Sequence, residues 1–388
     1  MFSKNIKFQN YKFIKIDKTS KKVKKDLSLF LKENSAILQS LGTNYKNSYN
    51  KNLILKLKKF VHIRIIGMGG STLGAESIYN FLKHKIKKKF NFINNLQSKV
   101  SHSDKKKNYL NLIISKSGNT LETISNANVL IKGNNKNVLI TENKKSYLFS
   151  IAKKLKAEIV NHNSLIGGRY SVLSEVGMLP AELMGLDAKK FKQMQNLVKN
   201  KKFVNALTIN VNYTLHFLKQ KKFNSIILNY DEKSDSLFKW YQQLVAESLG
   251  KKGKGIFPII SSMPKDNHSL MQFYLDGPRN NFFTFFYVKE DKPTKINNKN
   301  ILNNYDNLKN KNLEEILHSQ KIATENVFQR KKIPFRSFEI ANRSEEALGE
   351  LFCFFVLETI LIARALKINP YDQPSVEWIK KETKKILF

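Results

Sequence analysis

Cysteine is almost absent: Cys353 stands alone in 388 residues. One thiol makes no intrachain disulfide and no Cys-based metal site, so the chain reads as a reduced, cytoplasmic protein without a bound metal. Long apolar runs are also missing. The oiliest stretch, Leu351 to Ala363, is broken by Glu358 and falls short of the roughly 18 apolar residues that cross a bilayer, so it reads as a buried helix and no membrane contact is expected. The N-terminal MFSKNIKFQNYKF has no apolar core and no small-residue cleavage site, and does not read as a secretory signal. Acidic residues are scarce, 31 against 68 Lys plus Arg, and the formal net charge is +37. That balance raises nucleic-acid binding. Arginine, however, supplies only seven of the 68, whereas base and phosphate recognition favours the guanidinium fork. Asn, Ile and Phe abound together with Lys, as A/T-rich codons dictate. The charge is therefore read as a solvated surface that attracts anions without selecting one, and no nucleic-acid partner is expected.

What is present is an alternation of short β-branched runs and helical patterns, the mark of an α/β protein. The spacing predicts strands near 61–66, 109–114 and 138–140, then a helical connection over 181–218 that marks a domain boundary. A second set follows, with strands near 225–229, 255–260, 282–288 and 335–340. Helices are predicted between them and over 344–366 and 375–387. Lys/Asn-rich stretches at 94–108 and 291–312 read as surface loops. The expectation is two units, each a mainly parallel sheet covered by helices, with ligands beyond the carboxyl ends of the strands.

Two turns there are unusual. Gly67-Met68-Gly69-Gly70-Ser71-Thr72 follows the first strand but lacks the third glycine and the distal acid of a dinucleotide fingerprint, and no GxxxxGK[ST] occurs anywhere. A strand, close-packing glycines, a serine and a helix start remain, which is an anion site by geometry. Ser115-Lys116-Ser117-Gly118-Asn119-Thr120-Leu121-Glu122-Thr123 crowds four hydroxyls and a lysine at another helix start. Capping uses one hydroxyl and leaves three over, so phosphate binding is the better reading.

That second pattern resembles the phosphosugar signature of sugar isomerase (SIS) domains. The chain as a whole resembles the glucose-6-phosphate isomerase family, through GMGGSTLGAES (67–77), SKSGNTLETISNA (115–127), GGRYSVLSEVGMLPAELMG (167–185), WYQQLVAESLGKKGKGIFPI (240–259), DNHSLMQFYLDGPRN (266–280) and NPYDQPSVEWIKK (369–381). The resemblance implies two SIS-type three-layer α/β/α domains with mainly parallel sheets and a C-terminal helical segment. Residues 1–205 would hold the N-terminal segment and first domain, and 206–342 the second. Residues 343–388 would be helices packing on both and completing the active site.

It also implies roles for residues that are ambiguous by themselves. Glu247 continues the apolar stripe Leu237, Trp240, Leu244 to a helix end at Gly250, where partial burial and the negative helix pole suit a general base. That stripe could equally just reach solvent; the resemblance makes Glu247 the base that moves the proton between C1 and C2. Arg169, by composition a candidate structural ion pair, becomes the cation facing the enediolate oxygen. His268, otherwise an ordinary histidine at a helix start, and Lys380, otherwise one lysine of a solvated face, become the ring-opening pair. Gly70, Ser71, Ser115, Lys116, Ser117, Thr120 and Thr123 become phosphate contacts, and Gln373 a substrate contact. Many family members carry threonines and an aromatic where this chain has Ser117-Gly118-Asn119, so the individual phosphate bonds differ. The implied reaction interconverts glucose 6-phosphate and fructose 6-phosphate, in glycolysis and gluconeogenesis, with no cofactor and no metal. The implied assembly is a homodimer whose active site is shared, with His268 coming from the partner chain. A related isomerase with dual glucose/mannose phosphate or amino-sugar preference is one alternative, although the latter would bring a glutaminase domain. A sugar-phosphate-sensing module is another; it would keep the phosphate turns and lose the acid–base set.

Overall fold

The computed structural model describes residues 2–11, 20–96, 108–132, 135–301 and 303–387. The loop expected at 94–108 lies mostly outside them. Among the described residues ten strands form two sheets: β1 (Ile6–Gln9), β2 (His62–Gly67), β3 (Lys89–Ile93), β4 (Tyr109–Ile114), β5 (Lys136–Thr141), β6 (Glu158–Asn161), β7 (Asn224–Asn229), β8 (Phe257–Ser262), β9 (Asn281–Val288) and β10 (Phe335–Ile340). The first sheet has the order β3-β2-β4-β5-β6 and the second β1-β10-β9-β7-β8. All pairings are parallel except β1 on β10. The α/β expectation therefore holds, with described helices between β2 and β3, β4 and β5, β5 and β6, β7 and β8, β8 and β9, and β9 and β10.

The strands are nearly continuous apolar runs because helices cover both faces. β4 (YLNLII) and β9 (NFFTFFYV) are buried along their whole length. The helix Glu345–Leu366 is buried at every residue from Ala347 to Ala363, as the run around Glu358 predicts. Glu358 itself is paired with the buried Arg336, which also donates to Asn210 and Thr284. An unpaired charge at that depth would cost several kcal/mol, so this partner is what allows a carboxylate inside the helix. By contrast the last helix, Pro374–Leu387, buries none of its residues.

Both sheets reverse direction at their centre. In the first, β2 leads leftward to β3 and β4 starts the other half, so the crevice between the β2 and β4 turns is the topological switch point. In the second, the equivalent crevice lies between β7 and β9. It is bridged by an internal ion pair: Arg343 donates two hydrogen bonds to Asp231, at 2.9 and 2.5 Å, with both side chains buried.

Candidate active site

The two turns singled out in the sequence follow β2 and β4, so they flank the first switch point side by side, with Gly67 in register with Ile114. Gly69 has φ +53, a backbone that favours glycine. A Cβ on Gly70 would lie 2.2 Å from the carbonyl of Gly168, so the helix Gly70–Phe81 starts in backbone contact with the turn Gly168–Leu173. That contact carries the first turn to Arg169.

The second turn is built differently from the capping pattern. Thr120 occupies the N-cap of helix Leu121–Leu130, yet no side chain caps that helix. The Thr120 hydroxyl instead shares a 2.8 Å hydrogen bond with Ser115. Ser117 accepts from the Asn119 N–H, and Lys116 donates to the Ser164 carbonyl at 2.6 Å. Thr123 is buried with its hydroxyl unpartnered. Gly118 explains why this chain departs from a bulkier residue: its φ is +66, and a Cβ would meet the Ser146 hydroxyl at 2.2 Å. Asn119 in turn accepts from the Tyr147 N–H, docking the turn on the next helix.

Arg169 is the hub of the site. Its side chain is 4 % exposed and donates from Nη1 to Glu247 at 2.9 Å and from Nε to Ser248 at 2.9 Å. Nη2 donates to the carbonyls of Pro370 (2.6 Å) and Asp372 (2.9 Å), and Nη1 approaches Gln373 at 3.5 Å. Glu247 ends the helix Asp235–Leu249 with its side chain 27 % exposed, reachable by a small molecule. Its second oxygen accepts from Gln243 at 2.8 Å. Thus Arg169, Glu247 and Gln373, from three distant parts of the chain, meet at one place, and Gly70 touches it.

Two further residues were absent from the sequence reading. Gln243 reaches both ways: it holds Glu247, and a Cβ on Gly69 would sit 2.7 Å from its amide nitrogen. Its spacing four residues before Glu247, on one helix face, is the signal that was available. Lys251 donates to the carbonyls of Asn369 (2.5 Å) and Asp372 (2.6 Å) and to the Asp372 carboxylate (2.6 Å), fixing the loop that carries Gln373. That lysine holds the Asp372 carboxyl below the usual range. No local signal separates Lys251 from its neighbours Lys252 and Lys254.

Among the described residues, His268 and Lys380 make no hydrogen bond or ion pair with Arg169, Glu247 or Gln373. Lys380 is on the exposed last helix, paired with Glu377 at 2.6 Å. His268 is exposed at the end of the one-turn helix Lys265–His268, which follows β8. Glu247 lies before β8 and His268 after it, so the strand separates them along its own length. Among the described residues no group of three or more His, Cys, Asp or Glu is placed to hold a metal ion, and no helix is long and apolar enough to cross a membrane.

The sequence matches the phosphoglucose isomerase family over residues 54–257. It is 32 % identical to the glucose-6-phosphate isomerase of Methanocaldococcus jannaschii, with 86 % of each chain covered. It is 34 % identical to that of Mycoplasmopsis pulmonis, over 83 % of this chain and 82 % of the relative. In fold it resembles a hypothetical protein of Thermus thermophilus (TM-score 0.82, 21 % identity, 95 % and 94 % of the two chains covered). A glucose-6-phosphate isomerase from Chlamydia trachomatis has the same fold (TM-score 0.74, 15 % identity, 99 % and 88 % covered). With its motifs in order along the chain and its match spanning more than half of it, the chain belongs to the phosphoglucose isomerase family.

Proposed function

We propose that this protein interconverts glucose 6-phosphate and fructose 6-phosphate by moving a proton between C1 and C2 through an enediol. The observation that carries the reading is the Arg169–Glu247 pair, a fixed guanidinium and an accessible carboxylate 2.9 Å apart, set against the turn that opens the helix at Gly70. The turns at Gly70-Ser71 and at Ser115, Lys116, Ser117, Thr120 and Thr123 hold the phosphate. Ser115 and Thr120 exchange their mutual bond for phosphate oxygens, and Lys116 leaves Ser164. Glu247 removes the proton α to the carbonyl and returns it to the neighbouring carbon. Arg169 stabilises the charge that develops on oxygen, and Gln373 fixes the hydroxyls. Held at one end by its phosphate, the sugar presents its carbon chain to a single base, and that proximity contributes as much as basicity.

His268 and Lys380 open the ring. Since β8 stands between Glu247 and His268 in one chain, we assign His268 to the site of the partner in a homodimer. The exposed Trp378 (76 %), Ile379 (69 %) and Ile386 (84 %) of the last helix favour a covering partner. Lys380, about two turns along that helix from Gln373, serves its own chain's site after leaving Glu377. Residues 1–205, 206–342 and 343–388 are proposed as the first unit, the second unit and the segment that completes the site, with β1 reaching across to the second sheet. The buried, free Cys353 suits a reducing cytoplasm. A coupled assay for fructose 6-phosphate, run beside mannose 6-phosphate, tests the reading. No turnover of any hexose phosphate would favour a sensor instead.

A further inference from the structure

Next to the hub, and untouched by the mechanism above, lies a buried polar cluster on the loop that leads into Arg169. His162 directly follows β6 with its side chain 2 % exposed, and Glu175 opens the helix Glu175–Leu183 with 1 %. Nδ1 of His162 is 2.6 Å from Glu175 Oε1, and Nε2 is 3.0 Å from the carbonyl of Ile166. The same carboxylate accepts from the Asn163 N–H at 3.0 Å and from the Tyr45 hydroxyl at 2.8 Å.

Both ring nitrogens of His162 thus face oxygens that only accept. A neutral ring beside an ionised Glu175 donates from one nitrogen and leaves the other lone pair pointing at an oxygen. The two contacts coexist only while the pair keeps one proton more than that: an imidazolium beside a carboxylate, or a neutral ring beside a carboxylic acid. Burial opposes ionisation of Glu175, yet hydrogen bonds from His162 and Asn163 and the attraction of His162 hold its carboxyl below the usual range.

The far end of the imidazole therefore grips Ile166, immediately before Gly167-Gly168-Arg169. At the other end of that turn, Lys192 donates to the carbonyl of Leu173. Between these two points the backbone of Gly168 and Arg169 presses on Gly70 with no room for a Cβ.

We infer that His162, oriented by Glu175, is a positioning residue for Arg169, acting through the Ile166 carbonyl. The inference rests on the proposed role of Arg169 and adds a residue that touches neither sugar nor phosphate.

The two faces of the ring can be tested separately, because a Gln amide reaches the Nε2 position and an Asn amide the Nδ1 position. His162→Gln keeps a donor for Ile166 and gives up Glu175; His162→Asn does the reverse. The expected result is a kcat lowered about ten- to hundredfold in His162→Asn, an ångström-scale displacement of a catalytic group, and only about threefold in His162→Gln. KM should stay within about twofold in both, since the phosphate turns are untouched. Equal losses, a more active Asn variant, or an effect on KM alone would overturn the proposal, because a purely structural pair lowers Tm without ordering the two substitutions in kcat. Tyr45→Phe removes a single hydroxyl from the cluster and covers the case in which a His162 variant does not fold. It should lower kcat about threefold at unchanged KM, and an unchanged kcat counts against the proposal. Arg169→Lys is assayed in parallel. If it retains full activity, the reading of Arg169 has failed; if it is impaired while the His162 variants are not, only the present inference has.

Discussion

Pairing two dead enzymes should restore a live one. Within one chain, Gln242 donates to the carbonyl of Pro258 near the start of β8, and Glu247 lies five residues further along its helix, away from the strand. That adds about 7 Å at 1.5 Å per residue. The six residues of β8 add about 17 Å before the chain even reaches Met263. Glu247 and His268 are thus more than about 20 Å apart at the backbone, and no side chain closes such a gap. If both act on one sugar, they come from different chains. Glu247→Gln and His268→Ala homodimers should each be nearly inactive. After co-refolding, random assortment makes about half the dimers mixed, and each mixed dimer holds one site with both defects and one with neither, so about a quarter of wild-type activity should return. The assay is the coupled formation of fructose 6-phosphate, with mixed dimers confirmed by differential tags. Mixed dimers that form and stay inactive would refute the shared site while leaving Glu247 and Arg169 in place.

Other outcomes follow from single residues. Glu247→Gln should keep the fold and sugar binding while lowering kcat by about 10²–10⁴, and near-normal turnover would remove it from the mechanism. Ser115→Ala with Thr120→Ala should raise KM for the phosphorylated sugar; since neither hydroxyl caps a helix, Tm should move little, and a collapse of Tm at constant KM would make them structural. Burial pushes the Lys192 amine down to about 7. Above that pH the unfolded chain binds the extra proton, so wild type gains stability as pH rises from 7 to 10, the penalty being complete below 7. The difference from Lys192→Met should move in favour of wild type by up to about 1.4 kcal/mol per pH unit in urea titrations, and a pH-independent difference would refute the burial argument. The +37 charge should act by steering alone: kcat/KM falling modestly with salt, and DNA retention gone by physiological ionic strength.

The legible parts of the fold were those with a local signal. β2, β4, β7, β9 and β10 are apolar runs bounded by turns, and each is read within a few residues. β1 has no such signal, because what makes it a strand is β10, more than 300 residues away. β3 alternates (KFNFI), but it is short and directly follows a lysine run. In the site, motif order leads to Arg169, Glu247 and Gln373, which the structure brings together. The sharing of bonds is another matter. That Thr120 pairs with Ser115 instead of capping its helix is set within the folded turn, and that Lys251 clamps the Gln373 loop depends on contacts across more than 100 residues. Neither leaves a periodicity to read.

The ion pair across the second switch point sets a count. Each sheet has a crevice of the kind that receives ligands in open parallel sheets, yet at the second Arg343 and Asp231 are already joined by two hydrogen bonds, with Glu290 3.6 Å from the arginine Nε. An incoming phosphate would have to break a buried bidentate contact to gain a comparable one, an exchange with nothing to drive it. The duplicated architecture is therefore not a duplicated receptor. Titrated calorimetrically with a sugar phosphate, the protein should saturate at one equivalent per chain.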